Sequence, residues 1–576
     1  MSFVLDAYAA RSCPLKTVNA FTPSLVAPSL SPPTPAFFRD APAIEADVIE
    51  RVSRANAVVD LRSTRDLPTA EAAAACIAAM SAGAPIIVGG LLPPDEAAHR
   101  IGRPSLLLRS PEDPGYHPVQ IKFHRVLESA PSDDTTQTAS LLRTPIARTP
   151  LPERRFRWTS RLNAALQLAH YWRLLEAAGF AAATPLAGLV GIDQVAADIG
   201  GEAGEPLITW LDLGARRVPP DPRWVEFPAD AVPGPTVERY DREHAYRVDL
   251  AEAALASSGQ ETLLTPIVSP ECRGCVWQPH CQAQLNIDDL SLRISKAPLD
   301  VHEVRTLRGL GISTVTELAQ ADLESLLEIY LPRASHREGS EIRLRRAHQR
   351  AQMMHAGVEL ERITDGPVPL PRHDLEIDID VETSAEDRVY LWGFWVDDPR
   401  ASAPYYRSFS RFGELNEADE ADLAAEALAW LRSLAAGRDV AAYHYSDYEV
   451  LRIGRVAGKL DAGLAAWARQ ATQDWFVDLF ALVRENFLGA NGLGLKVVAT
   501  AATGFAWRDE DANGLASQGW FADAVRHEDA GQRRLARVRV LEYNEDDVRA
   551  TWHLRRWLRD QDEQPVAKRF PAAPGP

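Results

Sequence analysis

Acidic side chains on a predicted β-strand could bind a divalent cation. Residues Leu375–Glu382 read LEIDIDVE, and this alternation predicts a strand that carries Asp378, Asp380 and Glu382 on one face. A second strand-like run at Val389–Val396 predicts a hairpin with it. Three acids on one strand face repel each other, and a divalent cation would relieve that repulsion. A solvated edge strand is the alternative interpretation.

Two later segments could add ligands to such a site. Val440–Glu449 predicts a short apolar strand, a polar turn and the start of a helix. Leu535–Leu558 predicts a long amphipathic helix on which Tyr543 and Asp547, four residues apart, share a face. A two-metal phosphodiester site needs oxygen ligands from several elements and a group that orients water. The three segments together favour a site of this kind.

The first and last of these segments resemble motifs of the DEDD exonucleases, whose fold is of the ribonuclease H type. Asp380-Val381-Glu382 matches the Asp-x-Glu motif of that family. The stretch from Tyr543 to Asp547 matches its Tyr-x-x-x-Asp motif, which defines the tyrosine branch (DEDDy). The resemblance covers the C-terminal third of the chain.

The second motif of that family, Asn-x-x-x-aromatic-Asp, is altered in this chain. Residues His444–Glu449 read HYSDYE, with His444 in the Asn position and Glu449 in the Asp position. Glu449 keeps a carboxylate but is one methylene longer, so Asp447 is an alternative ligand. The run Gly492–Lys496 also resembles the family, which implies that Lys496 contacts a phosphate.

The resemblance implies a metal-dependent 3′–5′ exonuclease that acts on DNA or RNA, with single-stranded 3′ ends favoured. Two Mg²⁺ or Mn²⁺ ions would be bound by four carboxylates, those of Asp380, Glu382, Glu449 and Asp547. Tyr543 would orient the attacking water.

Three of the five cysteines lie close together, in the run Cys272-Arg-Gly-Cys275-Val-Trp-Gln-Pro-His-Cys281. Five cysteines are too few for a disulfide scaffold, so we expect a reducing, cytoplasmic compartment, in which clustered cysteines indicate a metal. Thiolates two residues apart can share one metal. A fourth local cysteine is missing, and the candidates for the fourth ligand are Cys13, Cys76 and, less well suited, His280.

One remote N-terminal cysteine followed by C-x2-C-x5-C resembles the iron–sulfur nucleases of the RecB-like group, in which the cluster closes a PD-(D/E)xK domain. The resemblance implies a [4Fe–4S] cluster bound by Cys13, Cys272, Cys275 and Cys281. Zinc and simple packing cysteines are the alternatives. Cys76 lies in an Ala-rich predicted helix and is predicted to be a core residue.

Two nuclease motifs of that family are damaged here. Ser105 stands where the Gly-x-x-Asp motif has its acid, and Gln120 stands where the (D/E)-x-K motif has its acid, although Lys122 is retained. Gln167–Tyr171 resembles the family's Gln-x-x-x-Tyr motif. Neutral side chains cannot offset the charge of a divalent cation, so we predict a catalytically degenerate domain that still binds nucleic acid. Rescue by another acid, such as Asp113, is the alternative.

The order of the two domains resembles a group of bacterial nucleases that are often fused to a helicase. This chain has no G-x-x-x-x-G-K-[ST] phosphate loop, so a helicase would be a separate partner. The rival function is therefore a non-enzymatic iron–sulfur scaffold that binds nucleic acid and works with a helicase.

Local basic segments could dock nucleic acid. Arg148–Arg161 interleaves arginines with aromatic residues, which suits phosphate contacts and base stacking on a single strand. Arg333–Arg350 is also rich in arginine, and Arg308–Ile312 resembles a helix-hairpin-helix turn. Solvated helix faces and ordinary turns are the alternatives. The predicted nucleic-acid contacts are Lys122, Arg154, Arg155, Arg157, Trp158 and Lys496.

The 576-residue chain has a formal net charge of −18, which excludes a polybasic protein that coats nucleic acid by bulk charge. No apolar run is long enough for a membrane span and no signal peptide is visible, so we predict a cytoplasmic protein. The expected architecture is α/β and multidomain, with a polar linker at Ser129–Pro150 inside the first domain. The predicted parts are a RecB-like PD-(D/E)xK α/β domain with the Cys cluster (1–290), a small helical helix-hairpin-helix-like segment (291–365), a ribonuclease H-like α/β domain (372–560) and a disordered tail (561–576).

Overall fold

The computed structural model divides into two compact units. One comprises Met1–Ile287 with Asp300–Arg305, and the other comprises Asp288–Leu299 with Thr306–Pro576. The predicted tail lies, from residue 562 onward, outside the described residues. In the part of the chain that is described, no helix combines the length and the hydropathy needed to cross a bilayer. The described residues are 3–26, 41–129, 136–194, 204–215, 217–219, 224, 232–257, 262–335, 337–509 and 514–561.

The first unit is built around one large mixed sheet. Its strands are β1 (Val58–Asp60), β2 (Ile86–Val88), β3 (Leu106–Arg109), β4 (Tyr116–Ile121), β5 (Leu127–Ser129), β6 (Thr136–Ser140), β7 (Thr149–Leu151), β8 (Arg154–Phe156), β9 (Leu186–Gln194), β10 (Pro206–Asp212), β11 (Arg217–Val218) and β12 (Gly234–Pro235). Eight of them form the sheet, in the order β1-β2-β3-β4-β9-β10-β6-β7. Its helices are α1 (Pro14–Phe21), α2 (Ala41–Ala55), α3 (Thr69–Ser81), α4 (Trp158–Ala177), α5 (Thr236–Ala256) and α6 (Gln278–Gln282), with 3-10 turns at Ala9–Arg11, Arg62–Asp66 and Pro270–Gly274.

Both faces of this sheet are covered by helices. On one face Leu107 of β3 packs in a core cluster with Leu168 of α4. On the other face Leu106 and Leu108 pack in a second cluster with Val48 of α2. A strand that is buried on both faces reads as a continuous apolar run, as β3 does.

The segment Ser129–Pro150 contains sheet strands, so the prediction of a linker is wrong for β6 and β7. β6 pairs with both β10 and β7. Thr138 is fully buried, and its hydroxyl donates to the carbonyl of Thr149 at 3.2 Å. The hydroxyl of Ser140 donates to Glu205 at 2.8 Å. The polar composition of this segment suggested a linker. Its buried polar side chains are nevertheless stable in the sheet because they are hydrogen-bonded.

The second unit combines short helices with a five-stranded sheet. The strands are β13 (Leu360–Arg362), β14 (Leu375–Thr383), β15 (Val389–Asp397), β16 (Tyr405–Ser410), β17 (Val440–His444), β18 (Phe476–Asp478) and β19 (Phe487–Gly489). The helices from residue 290 onward are α7 (Leu290–Arg293), α8 (Val301–Gly309), α9 (Val315–Gln320), α10 (Leu323–Tyr330), α11 (Ser340–His355), α12 (Glu417–Ala435), α13 (Tyr448–Ala457), α14 (Ala462–Asp474), α15 (Leu479–Asn486), α16 (Leu495–Thr503), α17 (Gly514–Arg526) and α18 (Ala530–Asp560).

A tight turn separates α8 from α9, at the position of the predicted helix-hairpin-helix-like turn. Gly311 has a φ of 84°, a backbone conformation that favours glycine. The N–H of Ile312 donates to the carbonyl of Leu307 at 2.9 Å and closes the turn.

Strand β14 lies at the centre of the five-stranded sheet, whose order is β16-β15-β14-β17-β18. It forms the predicted hairpin with β15 and runs parallel to β17. Ile377 and Ile379 face an apolar core together with Leu428 of α12. Helix α18 contacts the strand as well, and its side chains meet the acidic face of β14.

Candidate active site

Three carboxylates meet where β14 passes α18. Asp380 and Glu382 are two residues apart on β14 and therefore share a face, while Asp547 comes from α18. One oxygen of each carboxylate lies within 4.8 Å of the other two. Glu382 and Asp547 are buried, whereas Asp380 is partly exposed. Convergent carboxylate oxygens of this kind are suited to a divalent cation.

Each of these carboxylates accepts a hydrogen bond from a neighbouring side chain. Asn544 Nδ2 donates to Asp380 at 2.6 Å, and Ser517 Oγ donates to Glu382 at 2.7 Å. Trp507 Nε1 donates to Asp547 at 2.7 Å. One donor orients each carboxylate and leaves lone pairs for a metal. Sequence reasoning missed all three donors. Of the three donors, only Asn544 could have been suspected from the sequence, because it directly follows the motif residue Tyr543.

A glycine in β15 makes room for one of these donors. Gly393 lies opposite Asp380 in the β14–β15 register. A Cβ atom at Gly393 would lie 1.7 Å from Oδ1 of Asn544. The same Oδ1 accepts a hydrogen bond from the Tyr406 hydroxyl at 2.7 Å. Asn544 is therefore held in one orientation, with its amide group directed at Asp380.

Tyr543 and Lys496 lie beside the carboxylate cluster. The hydroxyl of Tyr543 interacts with the carboxylate of Asp547, one turn further along α18. Burial and then the nearby carboxylates raise the pKa of Tyr543, so this hydroxyl keeps its proton. Lys496 Nζ lies 4.6 Å from the centroid of the Tyr543 ring and 5.5 Å from that of Trp507. The structure therefore brings both predicted residues to the site.

The altered second motif contributes a buried glutamate. Glu449 lies in the first turn of α13 and is buried, whereas Asp447, which precedes that helix, is exposed. Oε2 of Glu449 is buried and accepts no hydrogen bond from any described residue, and His444 Nδ1 lies 3.7 Å away from it. Burial and then the charge of Asp380 raise the pKa of Glu449. Glu449 is thus the buried carboxyl of the second motif and Asp447 the exposed one, and the oxygens that converge within 4.8 Å are those of Asp380, Glu382 and Asp547.

The cluster concentrates negative charge in a desolvated space. Desolvation and then repulsion from neighbouring carboxylates raise the pKa values of Asp380 and Glu382. Desolvation also raises the pKa of Asp547, and the cation of Lys496 opposes this effect. A bound divalent cation would offset the repulsion, so the donor set fits Mg²⁺ or Mn²⁺.

Asp378, the third acid on this face of β14, is paired with an arginine instead. It is fully buried, and Arg555 of α18 donates to its two oxygens at 3.2 and 2.9 Å. Glu376 is ion-paired with both Arg555 and Arg559. We expected one divalent cation to relieve the repulsion among all three acids on this face. This expectation is wrong for Asp378, because Arg555 of α18 supplies its counter-charge.

The predicted cluster cysteines line one pocket of the first unit. They are Cys13, Cys272, Cys275 and Cys281. Both oxygens of Glu271 accept a hydrogen bond from the backbone N–H of Cys13, at 3.1 and 3.0 Å, and Glu271 is ion-paired with Lys16. Burial raises the pKa of the Cys13 thiol to about 12, and a bound metal would reverse this by stabilising the thiolate. Cys76 is fully buried in the core, and His280 does not line the pocket.

Ser105 and Gln120, which stand at the acidic positions of the two predicted nuclease motifs, are hydrogen-bonded to each other. Ser105 Oγ accepts a hydrogen bond from Gln120 Nε2 at 2.8 Å and donates to Glu45 at 2.5 Å. Glu45, on α2, is an acid that sequence reasoning missed. Asp113 is engaged elsewhere, because it accepts the backbone N–H of Ala183. Among the described residues this network contains no group of three convergent metal ligands.

The arginine-rich segment Arg148–Arg161 spans β8 and the start of α4. Arg154 and Arg155 are exposed, and Arg155 is ion-paired with Glu128 at 2.9 Å. The Trp158 ring packs edge-on against the buried Phe156, with ring centroids 4.8 Å apart. Arg154 and Arg155 therefore form part of the surface of the first unit.

Residues 377–559 match RNase_H_2, a family model of the RNase_H superfamily. The match begins in β14 and ends in α18, the two elements that carry the carboxylate cluster. The second unit contains a ribonuclease H-like domain. No curated protein and no solved structure matches the chain significantly. The ribonuclease H-like domain therefore carries the acidic triad of Asp380, Glu382 and Asp547, a group suited to divalent metals.

Proposed function

We propose that the ribonuclease H-like domain is a metal-dependent 3′–5′ exonuclease that acts on single-stranded DNA or RNA ends. The observation that carries this proposal is the convergence of Asp380, Glu382 and Asp547 within 4.8 Å, inside a domain that matches the RNase_H superfamily. A simple ion pair does not explain the cluster, because three acids meet there and, among the described residues, Lys496 is the cation that acts on them most strongly.

The two Mg²⁺ or Mn²⁺ ions, when bound, would stabilise the charge on the phosphate and on the leaving oxygen. Asp380, Glu382 and Asp547 would bind them, and Glu449 would be the fourth carboxylate. The buried oxygen of Glu449 that accepts no hydrogen bond from the described residues supports this assignment over Asp447.

Tyr543 would orient the attacking water through its hydroxyl. The interaction between the Tyr543 hydroxyl and Asp547 supports this role, because it places the hydroxyl beside a proposed metal ligand. Lys496, which lies against the Tyr543 ring, would contact a substrate phosphate. The 3′–5′ direction rests on the resemblance of the Tyr543–Asp547 motif to the tyrosine-branch exonucleases.

For the first unit we propose a catalytically degenerate RecB-like domain that binds a [4Fe–4S] cluster and serves as a platform for nucleic acid. Four thiols around one pocket support a metal centre. The choice of an iron–sulfur cluster over zinc rests on the resemblance of the remote Cys13 and the C-x2-C-x5-C spacing to the RecB-like nucleases.

The experiment that tests the exonuclease uses single strands labelled at the 5′ end, incubated with Mn²⁺ or with EDTA. We expect a ladder of 3′-shortened products that requires the metal. Asp380→Asn should lower the rate by more than the ~10–100-fold loss that is typical when a partner outside the ligand shell is removed. A wild-type protein that shortens no DNA or RNA strand would favour the non-enzymatic scaffold. Shortening that Asp380→Asn leaves unchanged would show that the site is assigned wrongly.

A further inference from the structure

Basic side chains converge on His124 in the first unit. His124 lies in the loop after β4, next to Lys122, while Arg157 and Arg161 lie at the start of α4 and Arg11 ends the 3-10 turn Ala9–Arg11. Burial lowers the pKa of His124 to about 4, and the four cations are the charged groups that act on it most strongly. Three separate elements thus create a region of positive potential inside this unit.

Several hydrogen-bond donors of this basic cluster are buried and unsatisfied. His124 Nε2, Arg11 Nε and Arg157 Nε are shielded from solvent, and within the described residues none of them has a hydrogen-bond partner. Glu128 Oε2 lies 3.6 Å from Arg157 Nε, beyond hydrogen-bond distance. Buried donors without acceptors are unfavourable, and their clustering around one imidazole indicates that an acceptor from outside the chain belongs there.

The carboxylates around the basic cluster are engaged by other groups. Asp6 accepts from the N–H of Tyr8, Glu45 from the Ser105 hydroxyl and Asp193 from the N–H of Val126. Glu128 is hydrogen-bonded to Arg155 and is also ion-paired, at 3.6 Å, with Arg157 of the cluster. These carboxylates therefore offset part of the positive charge and leave the buried nitrogens without hydrogen-bond partners among the described residues. A ligand that satisfies the donors has to bring its own oxygens and negative charge.

An exposed aromatic ring lies beside the basic cluster. Tyr8 is 51% exposed, which is unusual for a tyrosine. The guanidinium carbon of Arg11 lies 4.0 Å from the centroid of its ring, and Lys122 Nζ lies 6.0 Å from it. An accessible ring next to arginines is the arrangement on which bases of a single strand stack while their phosphates are neutralised.

We propose that the basic cluster around His124 binds a phosphate group of a single-stranded nucleic acid, with Tyr8 stacked on an adjacent base. Lys122 connects this site to the damaged nuclease motifs, because its Nζ donates to Gln167 Oε1 at 2.8 Å and Gln167 contacts Gln120. Ser105 and Gln120 are neutral, so the predicted motif positions add no carboxylate beside Lys122. The inference deepens the proposed role of the first unit as a nucleic-acid platform, and it is independent of catalysis by the ribonuclease H-like domain.

The test measures binding of a fluorescent single-stranded oligonucleotide to the full chain, by anisotropy in EDTA, so that no strand is cut. We expect Arg161→Gln to weaken binding about tenfold and to reduce the slope of log K against log salt by about 0.7, the value for one lost phosphate contact. His124→Gln should also weaken binding about tenfold but leave the slope unchanged, because burial keeps His124 neutral at neutral pH. Arg125→Gln is the matched control. Arg125 is the exposed neighbour of His124 and is not among the charged groups that act on it most strongly. Its side chain should be replaceable with little effect.

Strands with a 5′-phosphate and with a 5′-hydroxyl separate two sources of the phosphate. Stronger binding of the 5′-phosphorylated strand, lost in His124→Gln, assigns the site to a terminal phosphate. Equal binding of the two strands, weakened equally by the variant, assigns it to an internal phosphodiester. Unchanged affinity in both His124→Gln and Arg161→Gln, with the thermal midpoint preserved, would overturn the proposal. An equal loss in Arg125→Gln would overturn it too, because binding would then follow general surface charge. Failure of the exonuclease would appear separately, as a lack of metal-dependent shortening.

Discussion

Asn544 of α18 occupies the space that a side chain on Gly393 of β15 would fill, with its Oδ1 1.7 Å from the position of that Cβ. This close approach brings the Asn544 amide to Asp380, which it contacts at 2.6 Å. The relationship links the helix that carries Asp547 to the strand that carries the other two acids. Because Gly393 has no side chain, helix α18 with Asp547 can approach strand β14 with Asp380 and Glu382.

Gly393→Ala should therefore damage the site without touching a metal ligand. The new methyl group would displace Asn544 and α18, and overpacking of this kind costs about 1–3 kcal/mol of the free energy of unfolding. We expect exonuclease turnover to fall at least about tenfold, the lower end for loss of an outer-shell partner. Gly413→Ala is the control, because a Cβ there meets no atom within 4 Å. Full activity in Gly393→Ala, measured with 5′-labelled strands, would contradict this account.

Glu449→Gln and Asp447→Asn separate the two candidates for the second-motif ligand. Glu449 is buried, with an oxygen that accepts no hydrogen bond from the described residues, whereas Asp447 is exposed. We expect Glu449→Gln to lower turnover and to raise the Mn²⁺ concentration that gives half-maximal rate, while Asp447→Asn behaves like the wild type. The opposite pattern in a Mn²⁺ titration of the rate would assign the ligand to Asp447.

The elements of the site could be predicted from the sequence, but the partners of its side chains could not. Alternation in LEIDIDVE and the four-residue spacing of Tyr543 and Asp547 depend on local geometry, which the sequence displays directly. From the sequence, Asp378 is predicted to be a third member of the cluster. The residue that neutralises it, Arg555, lies far away in the sequence and meets it only in the folded chain. Trp507 and Ser517 were missed for the same reason, since only tertiary packing brings them to Asp547 and Glu382.

Arg555→Met should strongly destabilise the second unit. The variant leaves Asp378 buried without its counter-charge, and breaking a buried pair by removing one partner costs about 3–5 kcal/mol. Arg556→Met is the control, because Arg556 is the exposed neighbour on the same helix. Urea unfolding followed by tryptophan fluorescence should show a lower midpoint for Arg555→Met alone. Equal midpoints in the two variants would contradict a structural role for the Arg555–Asp378 pair.

Buried histidines should make the first unit sensitive to acid. Burial lowers the pKa of His170 to about 3 and that of His244 to about 4, from 6.5 for an ordinary histidine. Below pH 6.5 the unfolded chain binds protons that the folded unit excludes. The contribution of the two histidines to the free energy of unfolding is therefore complete above pH 6.5. It falls as the pH drops towards 4, by up to about 1.4 kcal/mol per pH unit for each histidine.

The double variant His170→Gln/His244→Gln tests this pH dependence. It should unfold more readily near neutral pH, because the variant loses the hydrogen bonds of His170 to Ile101 and of His244 to Ala98. Its stability should nevertheless fall less steeply than that of the wild type between pH 6.5 and about 5. Parallel pH profiles of the unfolding midpoint would show that these histidines do not set the acid sensitivity.

Binding of Mn²⁺ to the carboxylate cluster, followed by electron paramagnetic resonance of the free ion, tests the central claim most directly. The wild-type chain should remove up to two Mn²⁺ ions per molecule from solution, because Asp380, Glu382, Glu449 and Asp547 provide the ligands. Asp547→Asn should lose this binding while its far-ultraviolet circular dichroism stays unchanged. Identical Mn²⁺ binding in the wild type and in Asp547→Asn would contradict a metal centre at these residues.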